Sequence, residues 1–570
     1  MKKGRYIFFI LLFFFFLAIA TVMAFLYSEF RRPPEVPAES CLEVDLSGSF
    51  PEFSAPDFLA GYLLGGRPLS VHDVWESLRK AKVDDRIRCV LLRLGTLDCD
   101  WAKVSEVRDA VLSFRESGKK VYAYLEEAPD ADKEYFLATA CDRIILHPLG
   151  WLGVNGIGGW VPFLKEGLDK LGVEAEFEHV EEYKTAYNMF MEKGFTAAHK
   201  EMMEAIYQDI FSQYVRAVAE ARKKTEAEVK AIFDQGLYQG EQALQAGLVD
   251  SLLYEDELEA VLRDGGRPLN RARFSEYVRI SPASLGLETG RKVALIYAMG
   301  PIVGGDGSYD MIGGRTLSRA IRRAREDRSI AAIVLRVDSP GGSAVASDVI
   351  WRETFLAKKE KPLVVSMSDL AGSGGYWISM AGHRIVAQPQ TLTGSIGVIG
   401  GKFSLAGLFK KLGITAERIA YGQRADLFTV FRPLSPEERR LLKEQILWTY
   451  DKFLSKAAEG RNLTREEVDG VGRGRVWTGR QALDKKLVDE LGGLDKALSA
   501  AKSLAGIPAG EDVRLVVWPQ KVSFLRTVFG RPRVKTDLFG SSDLDRMLRT
   551  LQALQRENPW AVMPFWIRAR

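Results

Sequence analysis

The chain is poor in the residues that usually announce a function. Four cysteines (Cys41, Cys89, Cys99 and Cys141) stand among 570 residues, and no two form a Cys-x-x-Cys pair. That excludes a disulfide scaffold and argues against a zinc site, while leaving the redox compartment open. There are only five histidines, and Lys plus Arg exceed Asp plus Glu by just 4. No basic excess points to nucleic acid as a partner. After the N-terminus no long apolar run occurs, so the bulk of the chain should be soluble. What remains, 46% hydrophobic and 27% charged residues, is the balance of a folded globular protein, too long for one ordinary domain.

The one long apolar run lies at the start. Ile7 to Tyr27 are 21 consecutive uncharged residues behind Lys2, Lys3 and Arg5. Such a helix would span roughly 30 Å, the thickness of a hydrocarbon core. A cleavable signal has an apolar core of about 7–15 residues, and the Ala18-Ile19-Ala20 pattern falls inside the run rather than after it. The expectation is an uncleaved anchor over 1–32, with the N-terminus in the cytoplasm and everything after Pro33 outside it. Arg31 and Arg32 oppose that orientation.

A domain-length repeat follows. Val74–Arg93 resembles Leu317–Arg336 at an offset of 243 residues, each an amphipathic pattern leading into a buried strand. Asp142-Arg-Ile-Ile matches His383-Arg-Ile-Val, and Leu171-Gly-Val matches Leu412-Gly-Ile, both at 241. Gly240-Glu-Gln-Ala-Leu and Leu248-Val-Asp match Gly479-Arg-Gln-Ala-Leu and Leu487-Val-Asp. Strands such as Val121–Leu125 and Leu363–Met367 alternate with helical stretches, which predicts an α/β fold of tandem βα repeats around mainly parallel sheets. The expected domains are 41–284 and 291–508, joined by a linker with Pro282 and Gly286. A tail, 509–570, falls outside the duplication, with a helical stretch near Leu544–Leu554.

Three segments of the second repeat have the composition of a catalytic site: Asp338-Ser-Pro-Gly-Gly342, Ala371-Gly-Ser-Gly-Gly-Tyr376 and Thr391-Leu-Thr-Gly-Ser-Ile-Gly397. Each alone is an ordinary Gly-Ser turn; three in succession after predicted strands suggest a nucleophile at a helix N-terminus and backbone N–H groups facing a concavity. A serine needs a base. Only His383 follows Ser373, Ala371 replaces the first glycine of a hydrolase elbow, and His383 aligns with Asp142 in a structural turn, so a Ser-His-Asp order is disfavoured. Ser77-x-x-Lys80 and Ser499-x-x-Lys502 lie in helical stretches without companion motifs. Gly400-Gly-Lys402 lacks the first glycine and the Ser/Thr of a phosphate loop.

Together, Pro340-Gly341-Gly342, Ser373-Gly-Gly-Tyr-Trp377 and Leu392-Thr-Gly-Ser-Ile-Gly397, with Tyr183-Lys-Thr-Ala186 in the first repeat, resemble the signal peptide peptidase A (protease IV) family in its long, duplicated, anchored form. The resemblance covers about Leu42 to Pro508. It implies a Clp protease/crotonase-like domain in each half and a Ser/Lys dyad split between them. Ser373 would be the nucleophile, Lys184 the general base and Ser395 the residue that orients the lysine. Backbone N–H groups of Gly341 or Gly342 and of Gly374 would form the oxyanion hole. No cofactor or metal is implied. The implied substrates are cleaved signal peptides and other apolar peptides, the implied assembly a homo-oligomer (a tetramer by analogy), and the implied location the bacterial inner membrane with the catalytic part outside the cytoplasm.

The repeat offset agrees with a split site: at 241 residues Ser373 corresponds to Asp132, Ser395 to Val154 and Lys184 to Ala425, and Leu97-Asp98-Cys99 stands where the Pro-Gly-Gly loop should be. The chain departs from the family pattern in Gly372, where alanine is common, and in Thr185, where serine is common. A lysine base must lose roughly three pKa units, about 4 kcal/mol, to titrate near neutrality. Desolvation can supply this, with Tyr183, Tyr187, Met189 and Phe190 as expected wall residues. Two other readings remain: an inactive membrane-anchored peptide-binding scaffold, and a crotonase-like enzyme of coenzyme A thioesters, for which no acidic pair is evident.

Overall fold

The computed structural model describes residues 12–15, 17, 21, 34–54, 69–263, 269–308, 310–518 and 560–563. Most of the 7–27 run and the 544–554 stretch therefore lie outside the described residues. Among the described residues no helix is long and apolar enough to cross a membrane.

Two parallel sheets are built on one plan. In the first the strand order is Ser251–Leu252, Arg143–Leu146, Lys120–Leu125, Ile87–Asp98, Ser40–Ser49 and Asn270–Arg273. The second repeats it with Glu490–Leu491, Arg384–Ala387, Leu363–Gly372, Ile330–Ser339, Lys292–Met299 and Arg514–Trp518. The central strands read as near-continuous apolar runs because helices cover them; Ile330–Ser339, for example, has only Ala331 and Asp338 partly exposed. Helices Val71–Val83 and Gly314–Glu326 lead into corresponding strands, as the repeat predicts. Cys41 and Cys89 stand opposite each other on adjacent strands and form a disulfide, Cα–Cα 4.7 Å.

A short strand lies beyond the boundary expected at 508/509. Arg514–Trp518 pairs with Lys292–Ile296 as Asn270–Arg273 pairs with Ser40–Glu43, so the second sheet takes up an edge strand from beyond residue 508. Its pairing is carried by backbone, which side-chain similarity does not reveal.

The halves are interlocked. Glu174–His179 of the first pairs antiparallel with Ile399–Ser404 of the second. Buried Arg336 contacts Glu52 at 2.8 Å and Glu106 at 2.9 Å, both from the first half. Lys103 reaches Asp338 at 2.7 Å and Asp369 at 3.3 Å. Asp209 accepts from Thr478 and Arg480.

Candidate active site

The strand Leu363–Gly372 runs directly into the helix Gly374–Ser379, and Ser373 is the residue between them. Its backbone has φ 55° and ψ −112°, a conformation that L-residues seldom adopt. The turn is held by Ser373 N–H donating to Gly394 O and Trp377 N–H donating to Ser373 O, both at 2.8 Å. Gly394 is itself in the strand Leu392–Gly394, which pairs with the end of Leu363–Gly372. The next residue, Ser395, also has positive φ (50°) and donates its N–H to Arg475 O at 2.7 Å. The three Gly-Ser segments read from sequence thus end side by side because their strands are neighbours.

Lys184 arrives from the other half, in the loop after Glu174–His179. Its Nζ lies 2.7 Å from Ser373 Oγ, 2.9 Å from Ser395 Oγ and 3.0 Å from Ser395 O. All three residues are fully buried. Burial alone holds the Lys184 amine well below its usual 10.5. An uncharged amine has two N–H donors and one lone pair. In that form, with both donors given to the two Ser395 oxygens, the lone pair would face the Ser373 hydroxyl.

The expected wall residues go elsewhere. Tyr183 donates to Glu201 and lies under Arg475, Met189 and Phe190 pack with Leu168, Ala175 and Phe403, and Tyr187 stacks on His179. Backbone packs closely against the lysine. A Cβ on Gly397 would lie 3.1 Å from Lys184 Cδ, and one on Gly474 would lie 2.5 Å from Lys184 N, Cα and Cβ. Gly397 belongs to a motif already noted; Gly474, at φ +82°, carries no signal in the sequence beyond being a glycine. Among the described residues Thr185 Oγ1 has no hydrogen-bond partner, so it gives the lysine no support.

Gly341 and Gly342 have φ of 98° and 158°. A Cβ at Gly374 would fall 3.0 Å from Gly341 Cα and from Gly342 N, so the three glycines meet at the serine. Gly341 N–H donates to Ser339 Oγ at 3.2 Å. The remaining candidates of sequence serve structure. Lys80 is buried and donates to the carbonyls of Tyr277, Val278 and Ile280, Lys502 donates to Ala509 O, and His383 Nδ1 accepts from Leu363 N–H. At the equivalent of Ser373 in the first half, Asp132 accepts from the N–H groups of Asn155 and Gly156, and burial pushes its carboxyl up to about 6. Among the described residues no three His, Cys, Asp or Glu side chains converge as metal ligands.

A strained, buried serine 2.7 Å from a desolvated lysine amine is an arrangement that can supply a nucleophile and a base. The model of peptidase family S49 matches residues 113–267 and again 356–508. A chloroplastic serine protease SPPA of Arabidopsis thaliana is 35% identical, over 79% of this chain and 68% of its own. Protease 4 of Salmonella typhi is 32% identical over 87% and 83%, and Protease 4 of Haemophilus influenzae 32% over 77% and 73%. Among solved structures, a membrane-bound stomatin-specific protease 1510-N in complex with a substrate peptide aligns at 15% identity with TM-score 0.27, over 42% of this chain and 97% of that one. The chain belongs to peptidase family S49, whose domain it carries twice, and it is a serine peptidase.

Proposed function

We propose that the chain cleaves apolar peptides outside the cytoplasm, remnant signal peptides among them, through a Ser373–Lys184 dyad completed across its two halves. The observation that carries this reading is the 2.7 Å approach of Lys184 Nζ to Ser373 Oγ in a buried site where desolvation holds the amine's pKa well below its usual value. Lys184 takes the hydroxyl proton as Oγ attacks the scissile carbonyl carbon. The N–H groups of Gly342 and Gly374 hold the developing oxyanion, since that of Gly341 already serves Ser339. The same proton passes to the leaving amine as the C–N bond breaks, and water then hydrolyses the acyl-enzyme with Lys184 again as base. Ser395 orients the amine throughout.

A membrane anchor over residues 1–32 would hold the site beside such substrates. Self-association is supported by exposed apolar side chains in both halves, among them Trp160 and Leu171 in one and Leu412, Ile419 and Tyr421 in the other.

Ser373→Ala and Lys184→Ala should each lower peptide hydrolysis by about 10²–10⁴-fold with an unchanged circular dichroism spectrum. Near-parental turnover in either variant would refute the dyad. A fluorophosphonate that fails to label Ser373 in the parent chain would favour the inactive peptide-binding scaffold instead.

A further inference from the structure

The sheet that joins the two halves has a place one strand wide beside Ser373, and the chain's own C-terminal segment fills it. Trp560–Val562 lies between Gly341–Ser343 and Ile399–Ser404, antiparallel to both. Gly341 is opposite Val562, Gly342 opposite Ala561, and Ser343 opposite Trp560, which also faces Ile399. Met563 N–H then donates to Pro340 O at 2.7 Å. The flanking strands are the glycine loop of the candidate oxyanion hole and the strand that leads from the Ser395 segment. An extended peptide presented to Ser373 would add to the same two edges by main-chain pairing.

Met563 is fully buried. Its side chain sits against Gly372, the residue that precedes the nucleophile. A methyl at position 372 would collide with Met563 Sδ and come within 3.1 Å of Met563 Cβ and Cγ. The missing methyl is the space that Met563 takes.

We propose that residues 560–563 are an intramolecular pseudosubstrate: the C-terminal segment occupies the peptide cleft as an extended strand, with Met563 seated over Gly372, and substrate must displace it. This rests on reading the cleft beside Ser373 as the peptide site. An internal competitor leaves kcat unchanged and raises the apparent KM by the fraction of chains it closes.

Two full-length variants dislodge the segment by different means. Met563→Asp places a charge where a buried apolar side chain sits, and Ala561→Pro removes an N–H from the strand opposite Gly342. Each should lower KM for a peptide substrate by about tenfold at constant kcat. A second measurement needs no turnover. A fluorescent peptide with the sequence of residues 557–566, titrated by anisotropy, should bind full-length Ser373→Ala/Met563→Asp at least about tenfold more tightly than full-length Ser373→Ala. Unchanged KM in both variants, or equal peptide affinity for the two chains, overturns the proposal. Selective peptide binding with no fluorophosphonate labelling of Ser373 would leave the pseudosubstrate standing and remove the peptidase mechanism instead.

Discussion

As the proposed base, Lys184 would couple catalysis to stability through one proton. Its folded-state pKa is held well below 10.5 by burial. Between that lowered value and 10.5 the unfolded chain binds a proton that the folded chain does not, so this amine makes stability fall as pH is lowered through that window. Below the lowered value both states are protonated and the effect levels off. Lys184→Met removes the linkage. Its melting temperature relative to the parent should rise steadily as pH is taken from about 10 to about 7; a constant difference would mean that the buried amine is charged. The kcat/KM of the parent should fall as pH drops through the same lowered pKa, because a protonated amine cannot accept the serine proton. Gly474 acts on the amine by position. Gly474→Ala would force a methyl to 2.5 Å from Lys184 backbone and Cβ atoms at φ +82°. A shift of the amine of about 1 Å should cost kcat roughly 10²-fold, read against an unchanged circular dichroism spectrum. Ser373 and Ser395 stand out in sequence because glycines surround them. Gly474 does not, because its role depends on a lysine almost three hundred residues away in the chain.

At the scale of elements, each group of the proposed catalytic site follows the end of a strand. Leu363–Gly372 delivers Ser373, Leu392–Gly394 delivers Ser395, and the loop after Glu174–His179 delivers Lys184. The first two belong to one parallel sheet, whose apolar runs and turn residues are visible in sequence. The third joins a different, mixed sheet by antiparallel pairing with Ile399–Ser404, and nothing in Glu174–His179 names that partner. The same limit hid Arg514–Trp518: an edge strand is held by main-chain hydrogen bonds that any side chains allow. Contacts between elements of the two halves are electrostatic as well as apolar. Arg336 is fully buried between Glu52 and Glu106, and burial pushes the Glu106 carboxyl up to about 7. Arg336→Met would leave both carboxylates without their cation and should lower unfolding free energy by about 3–5 kcal/mol in urea titration. A loss below about 1 kcal/mol would mean that the halves do not depend on this ion cluster.

Over the whole molecule, one hydrophobic cluster crosses the boundary between repeats. It joins Leu42, Val90 and Trp101 of the first half to Val293, Val334, Leu392 and Leu494 of the second. With a shared core and shared ion pairs, the described halves should unfold together, and calorimetry should give a single transition. Two transitions separated by more than about 10 °C would show that the repeats are independently stable. The amino-acid pattern by itself determined the duplication, the alternating α/β character and the residue types able to carry acyl transfer, because periodicity and turn chemistry act between near neighbours in the chain. Only the tertiary structure decided that a lysine of one copy lies 2.7 Å from a serine of the other, that Gly397 and Gly474 pack closely against it, and that the C-terminal strand occupies the adjacent sheet position. Those outcomes depend on which strand edges meet, and main-chain pairing between distant segments is nearly blind to side-chain identity.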